Sequence, residues 1–216
     1  MIKKFIPFLL AMAFLACNSN SSSGKEDKDT IEEVEELYVD PVMQEINSAF
    51  PDAYQFFSAQ DSSFNPTKFH QVSSRITNGS GLKLSDATSA YYPLFIYNTD
   101  SSYAIDLYSY NVILRKRNGK ITAQHAGPDT EAALIDMKNK TRKRIYFGGS
   151  SSAILDAKWI NNEEFFLLTG ESISPSKFQP QLLQYQLPGN KANEFEYSDT
   201  LQLRIEDYSD KRLEKL

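Results

Sequence analysis

The chain has 216 residues, a formal net charge of −5 at pH 7, 41% hydrophobic and 24% charged residues, and one cysteine. The acidic balance offers no basic field and argues against nucleic acid as a partner. A single cysteine excludes an intramolecular disulfide, and with two histidines it argues against a zinc site of three or four ligands. The length suits one domain, and the excess of Tyr and Phe, 12 and 14 against one Trp, favours strands and half-buried surfaces.

In chain order, Lys3 and Lys4 precede an apolar run, Phe5 to Phe14, broken only by Pro7, and Leu15-Ala16-Cys17 follow. The run is short of the about 20 apolar residues that span a bilayer. It has the layout of a cleaved export signal: charge, apolar core, small residue before the cut. Phe14-Leu15-Ala16-Cys17 resembles the lipobox of bacterial lipoproteins. Ala16 and Cys17 match it, and Phe14 and Leu15 are bulkier than the family's common choices. The resemblance implies a signal peptide over 1–16, a diacylglycerol thioether on Cys17 and acylation of the new N-terminus. Two or more acyl chains anchor stably where one is marginal. Asn18, in place of Asp after the cysteine, implies the outer membrane of a bacterial envelope.

Residues 17–39 read as a flexible, Ser/Asn-rich then acidic tether. Lys25 to Asp40 alone carries a net charge of −6, so the rest of the mature chain is nearly neutral. Residues 40–66 read as a short helical extension. Asp40-Pro41 is a good helix start, and Val42, Ile46 and Phe50 share one stripe, which predicts a helix over 41–49. Pro51-Asp52 begins a second through Tyr54, Phe57 and Ala59. Phe50, Tyr54, Phe56 and Phe57 are expected to pack on a sheet.

Residues 67–208 read as an antiparallel β domain, with a charged tail over 209–216. Phe69 to Ile76 is a first strand, and 78–81 a turn. Five hairpins follow: Leu94–Tyr97 with Tyr103–Tyr108, Asn111–Arg117 with Lys120–Gln124, Ala132–Asp136 with Arg142–Phe147, Ile154–Ile160 with Glu164–Thr169, and Gln181–Leu187 with Asn193–Tyr197. Asn118-Gly119 is the strongest turn among them, because both residues accept positive φ. Leu201, Leu203 and Ile205 alternate with polar residues and predict a last strand.

Leu134-Ile135-Asp136 with Arg144-Ile145-Tyr146 resembles the outer hairpin of a β-propeller blade, as in WD40-like and TolB-like periplasmic proteins. Ala157 to Asn162 with Phe165-Phe166-Leu167 is similar to the start of a next blade, and Phe95-Ile96-Tyr97-Asn98 is similar to Trp159-Ile160-Asn161-Asn162. A closed propeller needs at least four blades of about 40 residues, and residues 68–205 hold about three. The fold class is therefore mostly β, an antiparallel meander of hairpins arranged as propeller-like partial blades or a sandwich, with a short N-terminal helical segment.

No cofactor motif, glycine-rich phosphate loop or nucleophile elbow is present. His70 and His125 read as surface or hydrogen-bonded residues, and residues 98–102 as a turn rather than a calcium loop. Asp106, Asp129, Glu131, Asp136, Asp156, Glu163 and Glu171 are the acids from which a glycan-hydrolysing pair would have to come. Arg115, Lys116, Arg117 and Lys120, with Arg142, Lys143 and Arg144, form the most uneven charge in the domain. They are either solubilising charge beside hairpin turns or a basic patch for a polyanion such as lipopolysaccharide. The expected function is a lipid-anchored, non-enzymatic envelope protein whose β domain binds another envelope protein or a glycan. The alternative is an envelope hydrolase acting on glycan through paired carboxylates.

Overall fold

A computed structural model describes residues 44, 46, 48–77, 81–117 and 120–208, all within one compact unit, Tyr38–Leu216. The expected signal, Cys17, the expected tether, the expected Asn118-Gly119 turn and the expected charged tail lie outside the described residues. Gln44, Ile46, Ser48 and Ala49 have helical backbone. Pro51 then starts α1 (Pro51–Gln60), where its missing N–H costs nothing. The helix ends at Asp61, whose backbone is extended and whose N–H donates to Phe57 O at 2.8 Å. The Asp61 carboxylate then accepts from the backbone N–H groups of Ser63 and Gln202 at 2.9 and 2.8 Å, which ties the helix end to the C-terminal segment.

Twelve strands follow among the described residues, all paired antiparallel. In chain order they are β1 (Phe69–Ile76), β2 (Leu82–Lys83), β3 (Ile96–Tyr97), β4 (Tyr103–Asp106), β5 (Val112–Arg117), β6 (Lys120–His125), β7 (Thr130–Asp136), β8 (Thr141–Gly148), β9 (Ser152–Trp159), β10 (Glu164–Ser174), β11 (Lys177–Gln186) and β12 (Lys191–Tyr197). Sheet I has the order β1-β12-β11-β10-β9 and sheet II the order β2-β8-β7-β4-β3, while β5 and β6 pair only with each other. The chain is mostly β, as the hairpin pattern predicts, and the sheets do not close into a barrel.

Both sheets follow one plan. Each is a four-strand meander whose last strand also pairs with an earlier segment, β1 on β12 and β2 on β8. The similarity between residues 95–98 and 159–162 falls on the first hairpin of each meander. The two turns touch: Asn98 Nδ2 donates to Asn162 O at 3.1 Å, and Trp159 Nε1 donates to Ile96 O at 2.8 Å. The closing contacts of β1 with β12 join residues more than a hundred positions apart, so sheet I is complete only after its C-terminal strand is in place.

The alternation of each strand sorts its side chains between layers. Phe165, Leu167, Leu183, Tyr185 and Ala192 of sheet I meet Ile105, Leu134 and Ile145 of sheet II in an apolar inter-sheet core. Phe165 and Tyr185 stack at 5.2 Å. On its other face, sheet I presents Phe166, Leu168, Phe178, Leu182, Phe195 and Tyr197 to Ile46, Phe50, Tyr54 and Phe57, so the N-terminal aromatics pack on a sheet as expected. Burial pushes the Tyr54 phenol well above its ordinary value. The outer face of sheet II, with Ala104, Ala133 and Ile135, is covered by Leu84, Phe95, Tyr91 and Tyr92; the tyrosines belong to a 3-10 segment, Asp86–Leu94.

One element differs from expectation. Leu201, Leu203 and Ile205 are not a strand: only Leu201 makes a bridge, to Phe178, and 206–208 form a helical turn. Their alternation comes from a bent, irregular segment that lays every second side chain into the core beside α1.

Candidate functional site

Sheet II is interrupted between β4 and β7 by residues 107–129, which carry the β5–β6 hairpin. The root of this insertion is fixed by polar groups. Asp106, at the end of β4, accepts through Oδ1 from the backbone N–H groups of Tyr108 and Ser109 at 3.0 and 2.9 Å, and through Oδ2 from Ser109 Oγ. Asn111 then imitates a strand partner for β7. Its Oδ1 accepts from Glu131 N at 2.7 Å, and its Nδ2 donates to Glu131 O and Leu107 O at 2.8 and 2.7 Å.

The carboxylates of Asp106 and Glu131 are buried, and sheet register supplies their counter-ions from β8. Arg142 Nη1 donates to Glu131 Oε1, Arg142 Nε lies 3.5 Å from Asp106 Oδ2, and Arg144 Nε donates to Glu131 Oε2 at 2.6 Å. Two acids and two arginines balance, which is the condition under which buried charge is tolerated. Arg144 is half-exposed and stacks 4.8 Å over the Phe147 ring, which Tyr110 meets edge-on at 6.2 Å.

Where the two sheets part at this end lies a cavity of about 340 Å³. The insertion supplies Tyr108, Asn111, Val112, His125 and Asp129 to its wall; Thr130 of β7, Ser150 and Ser151 of the β8–β9 connection and the start of β9, Ser152 to Ile154, add to it, and Ser172, Ile205 and Glu206 complete it. The connection is held by Ser152 N donating to Gly149 O at 2.9 Å and Ser172 N donating to Ser151 O at 2.8 Å. Gly148 has to be glycine here, since a Cβ would sit 2.3 Å from Ser152 Cβ. Hydroxyls, one imidazole and the carboxylates of Asp129 and Glu206 thus line a space at the lower end of the size of ligand pockets.

A smaller hollow, about 150 Å³, opens between the sheets beside Tyr146, Thr169, Gln181, Glu194 and Glu196. Burial pushes the Tyr146 phenol up. Burial also pushes Glu194 up, but hydrogen bonds from Ser73 and Arg75, each at 2.6 Å, outweigh it and hold the carboxyl below its ordinary range.

The structure divides the predicted basic patch in two. Arg142 and Arg144 face the buried acids. Lys143 points the other way and ties the sheets together, donating to Thr77 O, Asn190 Oδ1 and Tyr185 Oη at 3.0, 2.9 and 3.1 Å. Arg115 is exposed on β5 and makes no ion pair among the described residues. Lys116, Arg117 and Lys120 occupy the last strand positions before the hairpin turn. Cys17 lies outside the described residues.

Of the seven acids named as hydrolase candidates, only Asp129 lines the main cavity. Asp136 accepts from Asn139 N and Nδ2 at 2.8 and 2.7 Å and shapes the turn where Lys140 has a φ of 53°. Residues 98–102 form a turn whose oxygens serve it: Asn98 Oδ1 accepts from Tyr103 N at 3.0 Å, and Asp100 Oδ1 from Ser102 N at 2.9 Å. Among the described residues no group of three His, Cys, Asp or Glu is placed to hold a metal. His70 is exposed on β1, its Nδ1 3.2 Å from Ser198 Oγ. The sequence does not single out Asn111, and it offers the serines 150–152 only as a glycine-serine stretch that lacks the closing glycine of a nucleophile elbow. Asn111 carries no signal apart from its strand partner, and Gly148 to Ser152 reads only as a turn. No protein-family model, curated protein or solved structure matches the chain.

Proposed function

We propose that this chain is a lipid-anchored, non-enzymatic protein of the bacterial envelope, held on the outer membrane through Cys17, whose β domain binds a small polar ligand such as a glycan unit. The observation that carries the binding part is the cavity at the root of the β5–β6 insertion. Its wall offers hydrogen-bond donors and acceptors from three directions, His125 and Asp129 from the insertion, Ser150 and Ser151 from the β8–β9 connection with Ser152 at the start of β9, and Glu206 from the C-terminal segment. The two acids that converge on one guanidinium, Asp106 and Glu131, are buried and ion-paired, so they are poor candidates for proton transfer to a substrate. The anchor rests on the lipobox resemblance alone.

A thermal-shift and NMR titration against neutral, N-acetylated and acidic monosaccharides tests the binding. The expected result is saturable shifts with at least one sugar, abolished in Asp129→Asn and His125→Ala. Turnover of a glycan that disappears in Asp129→Asn or Glu206→Gln would replace this reading with the hydrolase. For the anchor, Cys17→Ser is expected to move the protein from the membrane to the soluble fraction.

A further inference from the structure

We propose that the β5–β6 hairpin is a second membrane contact, which lays against a surface of anionic lipid headgroups. The proposal rests on the reading that the protein sits at a membrane, and its own support is separate from Cys17. The hairpin stands outside both sheets and pairs only with itself. A two-stranded ribbon of this kind is marginal without something to pack on. From Asn111 to Pro128 there is no acidic residue, while Arg115, Lys116, Arg117 and Lys120 bracket the turn. This is a concentration of four cations in a chain whose net charge is −5. The contrast with β8 is direct: there the arginines have buried acids as partners, and on the hairpin Arg115 has none among the described residues.

Charge alone would fit any polyanion; the apolar residues choose lipid. In the register of the hairpin Leu114 pairs with Ala123, and Ile121 stands on the same face two pairs nearer the turn. Ile121 is 51% exposed, and none of the three belongs to a core cluster of the domain. Ile113, on the opposite face, is 40% exposed. By register, position 116 shares the face of Leu114 and Ile121, and positions 115, 117 and 120 share the opposite face with Ile113. Each face of the ribbon thus combines an exposed aliphatic residue with basic positions. That composition suits the boundary of headgroup and acyl chain, where basic side chains reach phosphates and aliphatic groups leave water. Val112 and His125, the pair nearest the root, line the main cavity. A hairpin resting on lipid would therefore hold the cavity mouth beside the membrane surface.

The test uses the mature chain from residue 17 with Cys17→Ser, which lacks both the apolar signal and the acyl anchor, and vesicles of phosphatidylcholine with or without about one-third phosphatidylglycerol, sedimented at about 0.05 and 0.5 M salt. The expected result is binding to the anionic vesicles at low salt, at least about tenfold stronger than to neutral ones, and lost at high salt. Arg115→Glu with Arg117→Glu should weaken it by at least about tenfold, each cation being worth roughly fivefold near an anionic surface. Ile121→Ser should weaken it about threefold through the lost aliphatic contact. Circular dichroism of the variants, whose changes lie outside every core, confirms an intact fold. Equal binding to neutral and anionic vesicles, or no loss on charge reversal, overturns the proposal. So does equal binding of wild type and Ile121→Ser to dextran sulfate with no vesicle binding, which would assign the cations to a soluble polyanion. If the acylated protein is membrane-bound and the Cys17→Ser chain ignores vesicles, the hairpin contact fails and the anchor stands. If the Cys17→Ser chain stays with cell membranes at high salt, the anchor fails.

Discussion

In sheet I the second and third strands of the meander, β10 and β11, are joined through residues 175–176; in sheet II the corresponding β4 and β7 are separated by residues 107–129. Sheet I is accordingly held by apolar packing. Even its polar-looking interior depends on close fit: Gly170 lies under Phe178, where a Cβ would come 2.3 Å from the ring and 2.4 Å from Gln179 O. Sheet II is held at the same joint by Asp106, Asn111, Glu131, Arg142 and Arg144. A regular joint leaves a smooth sheet. An interrupted one needs polar fastening, and it yields the cavity wall, the exposed Tyr110–Phe147 pair and the basic hairpin. The features that can bind something cluster where the repeated plan is broken.

The largest expected effect breaks the regular partner. Phe165→Ala empties a fully buried site stacked on Tyr185 and edge-on to Trp159 at 4.9 Å, and should cost about 4 kcal/mol in urea unfolding. Next, Arg142→Met leaves Asp106 without its guanidinium and should cost about 3 kcal/mol. That is the low end for breaking a buried pair, because Arg144 still serves Glu131. Hydrogen exchange separates the two: Phe165→Ala should loosen both sheets, Arg142→Met chiefly residues 107–131. Asn111→Ala removes three hydrogen bonds at the insertion root and should cost about 2 kcal/mol, with loss of sugar-induced shifts. If it leaves binding unchanged, the root does not shape the cavity.

The smallest effect is the pH dependence. Glu194 and Asp61 are both held below their ordinary values, Glu194 by Ser73 and Arg75 against its burial, Asp61 by the N–H of Gln202 and by Ser63. Each adds stability that is full above about pH 4.5 and is lost as pH falls through its folded value. Both are partly exposed to solvent, so salt screens the effect. Melting curves of Arg75→Ala should show a shallower loss between about pH 4.5 and 3 than wild type; an identical slope would remove Glu194 from the account.

The hairpins were legible in the sequence because period-two alternation and turn chemistry are local. Pro188-Gly189-Asn190 is a turn in which Gly189 and Asn190 have φ of 74° and 51°, as its residue types suggest. The division into two sheets was not legible, since β1 finds β12 and β2 finds β8 across long stretches of chain. Leu201, Leu203 and Ile205 misled because an irregular segment that packs on the core and a strand can share one alternation. The 3-10 segment Asp86–Leu94 has no periodic signature to find. Arg142 and Arg144 looked like surface charge because their partners, Asp106 and Glu131, are distant in sequence and become neighbours only through the register of β4, β7 and β8. The cavity needs four separate segments to exist, so no single stretch announced it.

The central claim is that the interruption of sheet II is the binding element and the two meanders are its scaffold. The most direct measurement replaces residues 112–129, which include the cavity-lining Val112, His125 and Asp129, by a two-residue turn and records the melting temperature and the NMR response to the sugar panel. The predicted result is a folded protein that melts within about 5 °C of the parent and no longer responds to any sugar. A shortened chain that binds as the parent does would contradict it.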